Sequence, residues 1–227
     1  MARMWAMRKG MAGLAATVIA LLAASAATAE GGREQIRFNA ADQTAARATV
    51  LRRSDLGSTS GWTGGRVKPD LSPGPTCPNY HPKQSDLVLT GAAQSSFRNG
   101  PVAIGNQVQV MKTRRMVRLD WQREILAPGA LPCLRRDLAK DLGSTATVRS
   151  FKRIPFPRIA TYTAEFRALV DVRVLGGATA HLVVDAVLLG PGRSEISFTV
   201  AGPAVERAAL SAAERRLARK VVARARA

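Results

Sequence analysis

The chain has little histidine, cysteine, aromatic residue or negative charge for its length. Its 227 residues include 2 His and 2 Cys, 5% aromatic residues, and 16 acidic residues against 34 basic ones. So few Cys and His cannot form a cysteine-rich zinc site or a disulfide-dense scaffold. The acidic residues are scattered, and they match neither a calcium-binding loop nor the carboxylate pair of a glycosidase. The sequence therefore predicts no metal site.

Motifs of common enzymes are absent as well. The sequence contains no G-x-S-x-G motif, and its glycine-rich segment at residues 61–65 matches neither a P-loop nor a dinucleotide-binding fingerprint. We therefore expect a protein that is not an enzyme and holds no cofactor. The hydrophobic fraction of 46% and the charged fraction of 22% are typical of a folded globular domain.

The first thirty residues have the pattern of a secretory signal peptide. Three basic residues precede an uncharged, alanine-rich run over residues 10–29, which ends in the cleavage motif Ala27-Thr28-Ala29. We predict cleavage after Ala29 and an extracytoplasmic location, with residues 30–227 forming a single α+β domain. An uncleaved membrane anchor is the alternative. No Cys lies near the cleavage site, so the pattern does not indicate a lipoprotein.

Export changes what the two cysteines indicate. In an oxidising compartment a single Cys pair predicts one structural disulfide, Cys77–Cys133. Closing a loop of this length stabilises a fold by about 4 kcal/mol in the chain-entropy view. The loop over residues 57–85, rich in Gly and Pro, carries Cys77 together with Trp62 and Tyr80, so we expect it to pack onto the domain.

Hydrophobic periodicity predicts the remaining elements. A helix over 39–53 is capped by Asn39, and a last helix begins at a capping box formed by Ser211 and Glu214. Between them the patterns predict two strands, two helices and a run of antiparallel strands; the segments are 87–93, 104–111, 113–127, 130–143, 147–151, 160–174, 178–189 and 195–200.

The hairpin formed by residues 160–174 and 178–189 shows the clearest pattern. Apolar residues occupy every even position from 160 to 174, which predicts a half-buried strand. A three-residue loop at 175–177 keeps apolar residues opposite one another, whereas a two-residue loop would place polar groups on the apolar face. The three-residue loop also pairs Arg167 with Asp185 and Asp171 with His181.

This order of elements predicts an α+β domain with a curved antiparallel sheet covered by helices and a C-terminal helix. It resembles the PsbP-like fold, which is shared by a photosystem II extrinsic subunit and a Ran-binding nuclear protein, and most of all its secreted and lipoprotein members in actinobacteria. The resemblance rests on four segments: Asp55-Leu56-Gly57 with Trp62, Cys133-Leu134-Arg135, the hairpin 160–189, and Ser211-Ala212-Ala213-Glu214. The lipobox Cys of that family is absent. A cystatin-like cone is the alternative fold.

The two histidines are the first candidates for chemistry. His81 lies in the Pro-rich loop, and we expect an ordinary surface position for it. His181 opposite Asp171 has the form of an oriented imidazole, but an exposed cross-strand pair is the favoured interpretation.

Basic residues give the remaining functional signal. They concentrate in three segments at 112–123, 149–158 and the last helix, where the candidate anion-binding residues are Arg115, Arg118, Arg149, Lys152, Arg153, Arg158, Arg215, Arg219 and Lys220. A surface of net charge +18 attracts polyanions.

Three hypotheses of function follow from these patterns. The first is an exported non-enzymatic binding or envelope-associated module. The second is a protein that binds anionic envelope polymers or lipid headgroups through its basic segments, with nucleic acid the least favoured anion for an exported chain. A hydrolase is the weakest alternative.

Overall fold

A computed structural model describes residues 33–58, 60–72, 75, 77–174 and 176–226. The predicted signal peptide, and the membrane anchor that is its alternative, lie outside the described residues. Of the helices that are described, none combines the length and the apolar character needed to cross a bilayer.

The described residues form four α-helices and eight strands. The helices are α1 (Ala40–Thr49), α2 (Arg114–Asp120), α3 (Ala130–Leu142) and α4 (Arg207–Arg226). The strands are β1 (Gln35–Ile36), β2 (Thr63–Val67), β3 (Val88–Asn99), β4 (Val102–Met111), β5 (Ala146–Ile154), β6 (Tyr162–Arg173), β7 (Thr179–Gly190) and β8 (Ser194–Pro203).

The strands form one curved, unclosed sheet in the order β1-β3-β4-β8-β7-β6-β5, with β2 paired to β3. All neighbours are antiparallel except β1, which runs parallel to β3. The expected α+β class is confirmed. Helix α4 has 20 residues and follows the last strand, which is the feature that disfavours the cystatin-like alternative.

The register of the long hairpin is confirmed residue by residue. Arg167 pairs with Asp185 and Asp171 with His181, as the three-residue loop requires. A slip of one position would have exchanged the two faces of both strands.

Both faces of the sheet are covered, so the prediction of a half-buried hairpin is wrong for its central part. Helices α1 and α4 pack on one face, where the core includes Val50, Phe198 and Leu217. Helices α2 and α3 pack on the other face, against the even positions of β6. The polar positions Glu165 and Asp185 consequently lie beneath α4, with 2% and 1% of their surfaces exposed.

Helix ends agree with the sequence at one helix and differ at another. Asn39 caps α1 by accepting a hydrogen bond from the Asp42 amide at 2.9 Å. The predicted capping box of the last helix is wrong, because α4 begins at Arg207 and contains Ser211 and Glu214 in its interior. Glu214 is fully buried there.

The Gly- and Pro-rich loop is packed onto the domain, as expected, but it is not irregular throughout. Residues 63–67 form strand β2, which pairs with β3. Further along, the disulfide Cys77–Cys133 joins the loop to α3 with an S–S bond of 1.94 Å. Tyr80 and Ala130 pack around the disulfide and bury it. The loop therefore forms a fixed cover over part of the α2/α3 face.

Candidate functional site

A cavity of about 100 Å³ lies between the sheet and the cover formed by this loop, α2 and α3. Its floor is the central part of β4, β7 and β8. Its walls are mostly apolar and come from separate elements; they include Tyr80, Trp121, Ile125, Leu134, Phe151, Phe166 and Leu188. A volume of this size holds about three water molecules or a small organic group.

A change of helical geometry places acidic and aromatic side chains at the cavity wall. Helix α2 continues beyond Asp120 as a π-helical turn over Trp121–Ile125. Asp120, Trp121 and Glu124 all line the cavity. Such turns often occur at functional sites because they shift side chains relative to a regular helix. The Tyr80 hydroxyl fixes this turn by donating to the Glu124 carbonyl at 2.7 Å.

The floor of the cavity holds buried polar atoms without partners. Gln107 and Gln109 are 2% and 6% exposed, yet the Gln107 Oε1 and Gln109 Nε2 atoms have no hydrogen bond among the described residues. The Glu195 Oε1 atom is also buried and unpartnered. An unsatisfied buried polar atom costs about 1–3 kcal/mol, so these atoms call for a ligand or ordered water in the cavity.

Three carboxyl groups line one end of the cavity, those of Asp120, Glu124 and Glu195, and Glu34 is close enough to interact with them electrostatically. Burial, reinforced by the nearby Asp120, raises the pKa of Glu34 to about 8. Burial likewise raises the pKa of Asp120, and it raises the pKa values of Glu124 and Glu195 well above their usual range. The interaction between the Asp120 and Glu195 carboxyls lowers the pKa of Asp120 and raises that of Glu195 further. The Gln84 amide donates to Asp120 at 2.8 Å and also bonds to Glu124.

No Lys, Arg or His is among the described residues that line the cavity. The nearby Arg123 is directed to Asp86, at 2.6 Å, and not to the cavity. Arg123 lowers the pKa of Asp120 through space, against the larger effect of burial, but the carboxyl end bonds to no cationic group of the described residues. Together with the apolar walls, it can receive a cationic group joined to a small apolar body.

A second group of buried carboxyls lies under α4, on the opposite face of the sheet. Glu165, Asp185 and Glu214 have possible metal-ligating oxygens within 4.8 Å of one another. The Arg167 guanidinium already occupies this cluster, bonding to Asp185 through two nitrogens and lying 3.6 Å from Glu165.

Protons complete the charge balance of this second cluster. Burial, with the nearby Asp185 adding to it, raises the pKa of Glu214 to about 9 and that of Glu165 to about 7. The Glu165 Oε2 atom and both Glu214 carboxyl oxygens have no hydrogen-bond partner among the described residues. We interpret the cluster as structural because Arg167 and bound protons neutralise its charge.

The predicted anion-binding residues do not share one surface. Arg115 and Arg118 lie on α2 and line an open groove at one end of the sheet. Arg149 lies on β5 and forms an ion pair with Asp171 at 3.6 Å. The other predicted residues are exposed and do not line the groove; they are Lys152, Arg153, Arg158, Arg215, Arg219 and Lys220. Anion binding by these residues stays a prediction.

The two histidines lie outside both concave sites. His81 is exposed and its Nε2 atom lies 3.1 Å from the Pro78 carbonyl. His181 Nδ1 lies 2.7 Å from Asp171 Oδ1, and 60% of the histidine side chain is exposed. Neither histidine lines the cavity or the groove.

Sequence reasoning missed the carboxyl end of the cavity altogether. Glu34, Asp120, Glu124 and Glu195 come from the N-terminal segment, α2 and β8, so no local spacing connects them. One signal was present in the strand patterns. Gln107 and Gln109 in β4, like Glu195 in β8, place polar residues on a sheet face that helices cover.

The chain matches no protein-family model, and it matches no curated protein. Among solved structures, it is similar to an uncharacterised protein of Mycobacterium smegmatis described as the Rv0999 ortholog. That pair is 13% identical with a TM-score of 0.43, and the match covers 82% of this chain and 98% of that chain.

Two structures of Mog1 are also similar. A point mutant of the protein Mog1 is 12% identical with a TM-score of 0.27, over 58% of this chain and 73% of that chain. The Saccharomyces cerevisiae Ran-binding protein Mog1p is 11% identical with a TM-score of 0.26, over 58% of this chain and 75% of that chain.

Proposed function

We propose that this chain is an exported, non-enzymatic binding module whose cavity takes a small organic cation with an apolar body. The observation that carries the proposal is the carboxyl end of the cavity, where Asp120, Glu124 and Glu195 meet without a cationic lining residue among those described. A buried carboxylate is costly unless it is paired, so an ammonium group would supply the missing charge.

The raised pKa values of these carboxyls are consistent with an empty cation site. With no cation bound, burial and mutual repulsion favour the protonated carboxyls. An ammonium ligand would stabilise the ionised form and so release protons as it binds. Affinity for the cation should therefore rise with pH across the neutral range, because fewer protons then need to be displaced.

The size and polarity of the cavity narrow the class of ligand further. A cavity of about 100 Å³ is smaller than the 150 Å³ or so that accommodates benzene in an engineered protein cavity. Aliphatic and aromatic walls suit a short alkyl chain, and the amides of Gln107 and Gln109 can hydrogen-bond to a polar substituent. These features favour an alkylammonium group, free or at the end of a larger molecule.

Three probes of similar size and different charge test the proposal: n-butylammonium, 1-butanol and butyrate, titrated calorimetrically into the mature protein at pH 6 and pH 8. We expect butylammonium to bind more tightly than butanol, to bind more tightly at pH 8, and to release protons. Butyrate should not bind. Absence of binding by all three probes would contradict a ligand-binding cavity, and equal binding of butanol and butylammonium would contradict the cationic preference.

A variant and a matched control connect binding to the cavity. Glu195→Gln keeps the shape of the side chain but removes a carboxyl that could ionise beside the cation, and we expect it to weaken butylammonium binding roughly tenfold to a hundredfold. Glu165→Gln makes the same change on the opposite face of the sheet and should leave binding unchanged. Equal losses in both variants would contradict binding at the cavity.

Export and fold membership are further parts of the proposal. The disulfide supports an oxidising compartment, because such bonds are rare in the cytosol. The order of helices and strands supports membership in the PsbP-like group. Mass spectrometry of secreted protein should show Glu30 as the first residue and a mass lower by two hydrogens than that of the reduced chain. An unprocessed or reduced chain would contradict export with cleavage.

A further inference from the structure

Seven arginines line the open groove at one end of the sheet, and they come from four parts of the chain. The groove has a volume of about 1040 Å³. Helix α2 contributes three of the arginines, and the others follow α1, lie in the β7–β8 turn or lie at the end of α4; the set is Arg52, Arg114, Arg115, Arg118, Arg193, Arg224 and Arg226. We call this surface the arginine groove.

Only part of this charge is neutralised within the protein. Arg193 pairs with Asp42 at 2.6 Å, and Arg224 pairs with Asp55 at 2.9 Å. The other five arginines of the groove have no carboxylate partner among the described residues. The guanidinium groups of the three on α2, Arg114, Arg115 and Arg118, have no hydrogen bond to any described residue either. Their donors are therefore available to an external anion.

The ion pairs of Arg193 and Arg224 have a different effect, since they hold the groove in place. Arg193 also donates to the Met111 and Lys112 carbonyls, and Arg224 donates to the Thr49 and Val50 carbonyls. These bonds tie the β7–β8 turn and the end of α4 to their neighbours. The groove is thus preorganised, which lowers the entropic cost of binding.

The shape of the arginine groove distinguishes among classes of anionic partner. The groove is concave, and small or polar residues separate its arginines, among them Ala45, Ala48, Thr161 and Gly192. Among the described residues that line the groove, the ring of Tyr162 is the one aromatic side chain, and it stacks on Trp121. A volume near 1040 Å³ also exceeds what a single small anion fills.

We propose that the arginine groove binds a linear polymer that carries phosphate groups. Guanidinium groups match phosphate oxygens in bidentate geometry, and several of them spaced along a groove engage successive groups of one chain. The site is separate from the cavity: Trp121 lines the cavity, Tyr162 lines the groove, and the two stacked rings lie between them. The inference therefore does not depend on the function proposed for the cavity.

Long-chain inorganic polyphosphate is the probe, measured by fluorescence anisotropy against salt concentration. With five engaged arginines, we expect log K to fall with log salt at a slope of about −3 to −4, taking roughly 0.7 per contact. Arg114→Gln, Arg115→Gln and Arg118→Gln combined should lower the slope by about 2 and weaken binding roughly a hundredfold at 50 mM salt.

A control with the same net charge makes the test specific. Arg153, Arg216 and Arg219 are exposed and do not line the groove. Changing these three to Gln should reduce polyphosphate binding only slightly. Equal losses in the two triple variants would overturn the inference, because net charge alone would then explain binding. Thermal melts of both variants verify that they remain folded.

Two further probes distinguish the polymer from other anions. Monomeric phosphate should compete only at far higher concentrations of phosphate groups than the polymer does, because it cannot engage several arginines at once. Vesicles of phosphatidylglycerol should bind more weakly than polyphosphate per phosphate group. Preferential binding to the vesicles would overturn the polymer in favour of a membrane surface, and equal competition by monomeric phosphate would reduce the groove to a site for single anions.

Discussion

The sheet buries a carboxyl cluster on each of its faces, and the two clusters are neutralised differently. Under α4, Arg167 is bonded to Asp185 and lies near Glu165, and Glu214 is protonated at neutral pH. On the α2/α3 face, Asp120 and Glu195 have no such partner and adjoin a cavity. The comparison distinguishes a carboxyl cluster that is bonded to an arginine from one that adjoins a cavity and has no such partner.

The elements that cover the two faces of the sheet account for the difference between the two carboxyl clusters. Helix α4 packs directly on β7 and β8, and Ser211 on this helix accepts a hydrogen bond from Arg167. The opposite face is covered at the cavity by a loop and a π-helical turn. These elements span the polar floor without filling it.

The largest expected effect is the removal of the Arg167 guanidinium from the carboxyl cluster under α4, which we call the closed cluster. Arg167→Met should lower the free energy of unfolding by about 4 kcal/mol, because it leaves buried carboxyls without their partner. Chemical denaturation at pH 7 measures this change. Arg149→Met, in an exposed pair with Asp171, is the control and should cost less than about 1 kcal/mol.

A double variant sharpens this result. Arg167→Met combined with Asp185→Leu replaces the buried pair with apolar side chains and should recover part of the lost stability. If Arg167→Met lowers the free energy of unfolding by no more than Arg149→Met does, the Arg167 guanidinium does not stabilise the closed cluster. The proposed difference between the clusters on the two faces would then be contradicted.

The second prediction concerns pH. Glu214 has a folded-state pKa of about 9, well above the value of 4.5 for an ordinary Glu, so the folded state binds more protons than the unfolded state between these values. Stability should therefore fall as pH rises from about 5 to 9. Glu165 and Glu34, with pKa values of about 7 and 8, act in the same direction.

Glu214→Gln tests the contribution of the closed cluster to this slope. Glutamine stays neutral at every pH, so the variant should flatten the decline in stability between pH 5 and 9. Denaturant midpoints at four pH values measure it. An unchanged slope would show that Glu214 remains ionised in the folded protein.

The smallest expected effect lies at the cavity. Glu195→Gln removes a carboxyl that is close to Asp120 and Glu124, and it should raise stability at pH 8 by about 1 kcal/mol while it weakens cation binding. Thermal melting of the ligand-free protein measures the gain. A loss of stability would mean that the ionised carboxyl is already matched by a cation within the chain.

Local patterns predicted much of the fold. The alternation of residues 160–174 predicted β6, and the requirement that apolar residues face one another predicted its pairing with β7 to the residue. Asn39 predicted the start of α1. The cysteine pair predicted the disulfide, since a single partner was available to each cysteine.

Long-range packing explains the errors. The prediction of a capping box was wrong because Ser211 and Glu214 lie in the part of α4 that faces Arg167 on the sheet. A two-residue motif contains no information about a partner more than forty positions away in the sequence. Strand β2 was missed because its Gly-rich sequence lacks apolar alternation and is ordered by pairing with β3.

The sequence by itself determined the large positive charge, the single cysteine pair and the alternation that builds the sheet. These are properties of composition and of neighbours in the chain, and they need no knowledge of the fold. Only the tertiary structure decided which charges meet. It placed Arg167 among the carboxyls under α4, left Asp120 and Glu195 unmatched beside a cavity, and drew seven arginines into one groove. Electrostatic energy depends on distance and burial, and both are fixed only when separate elements pack together.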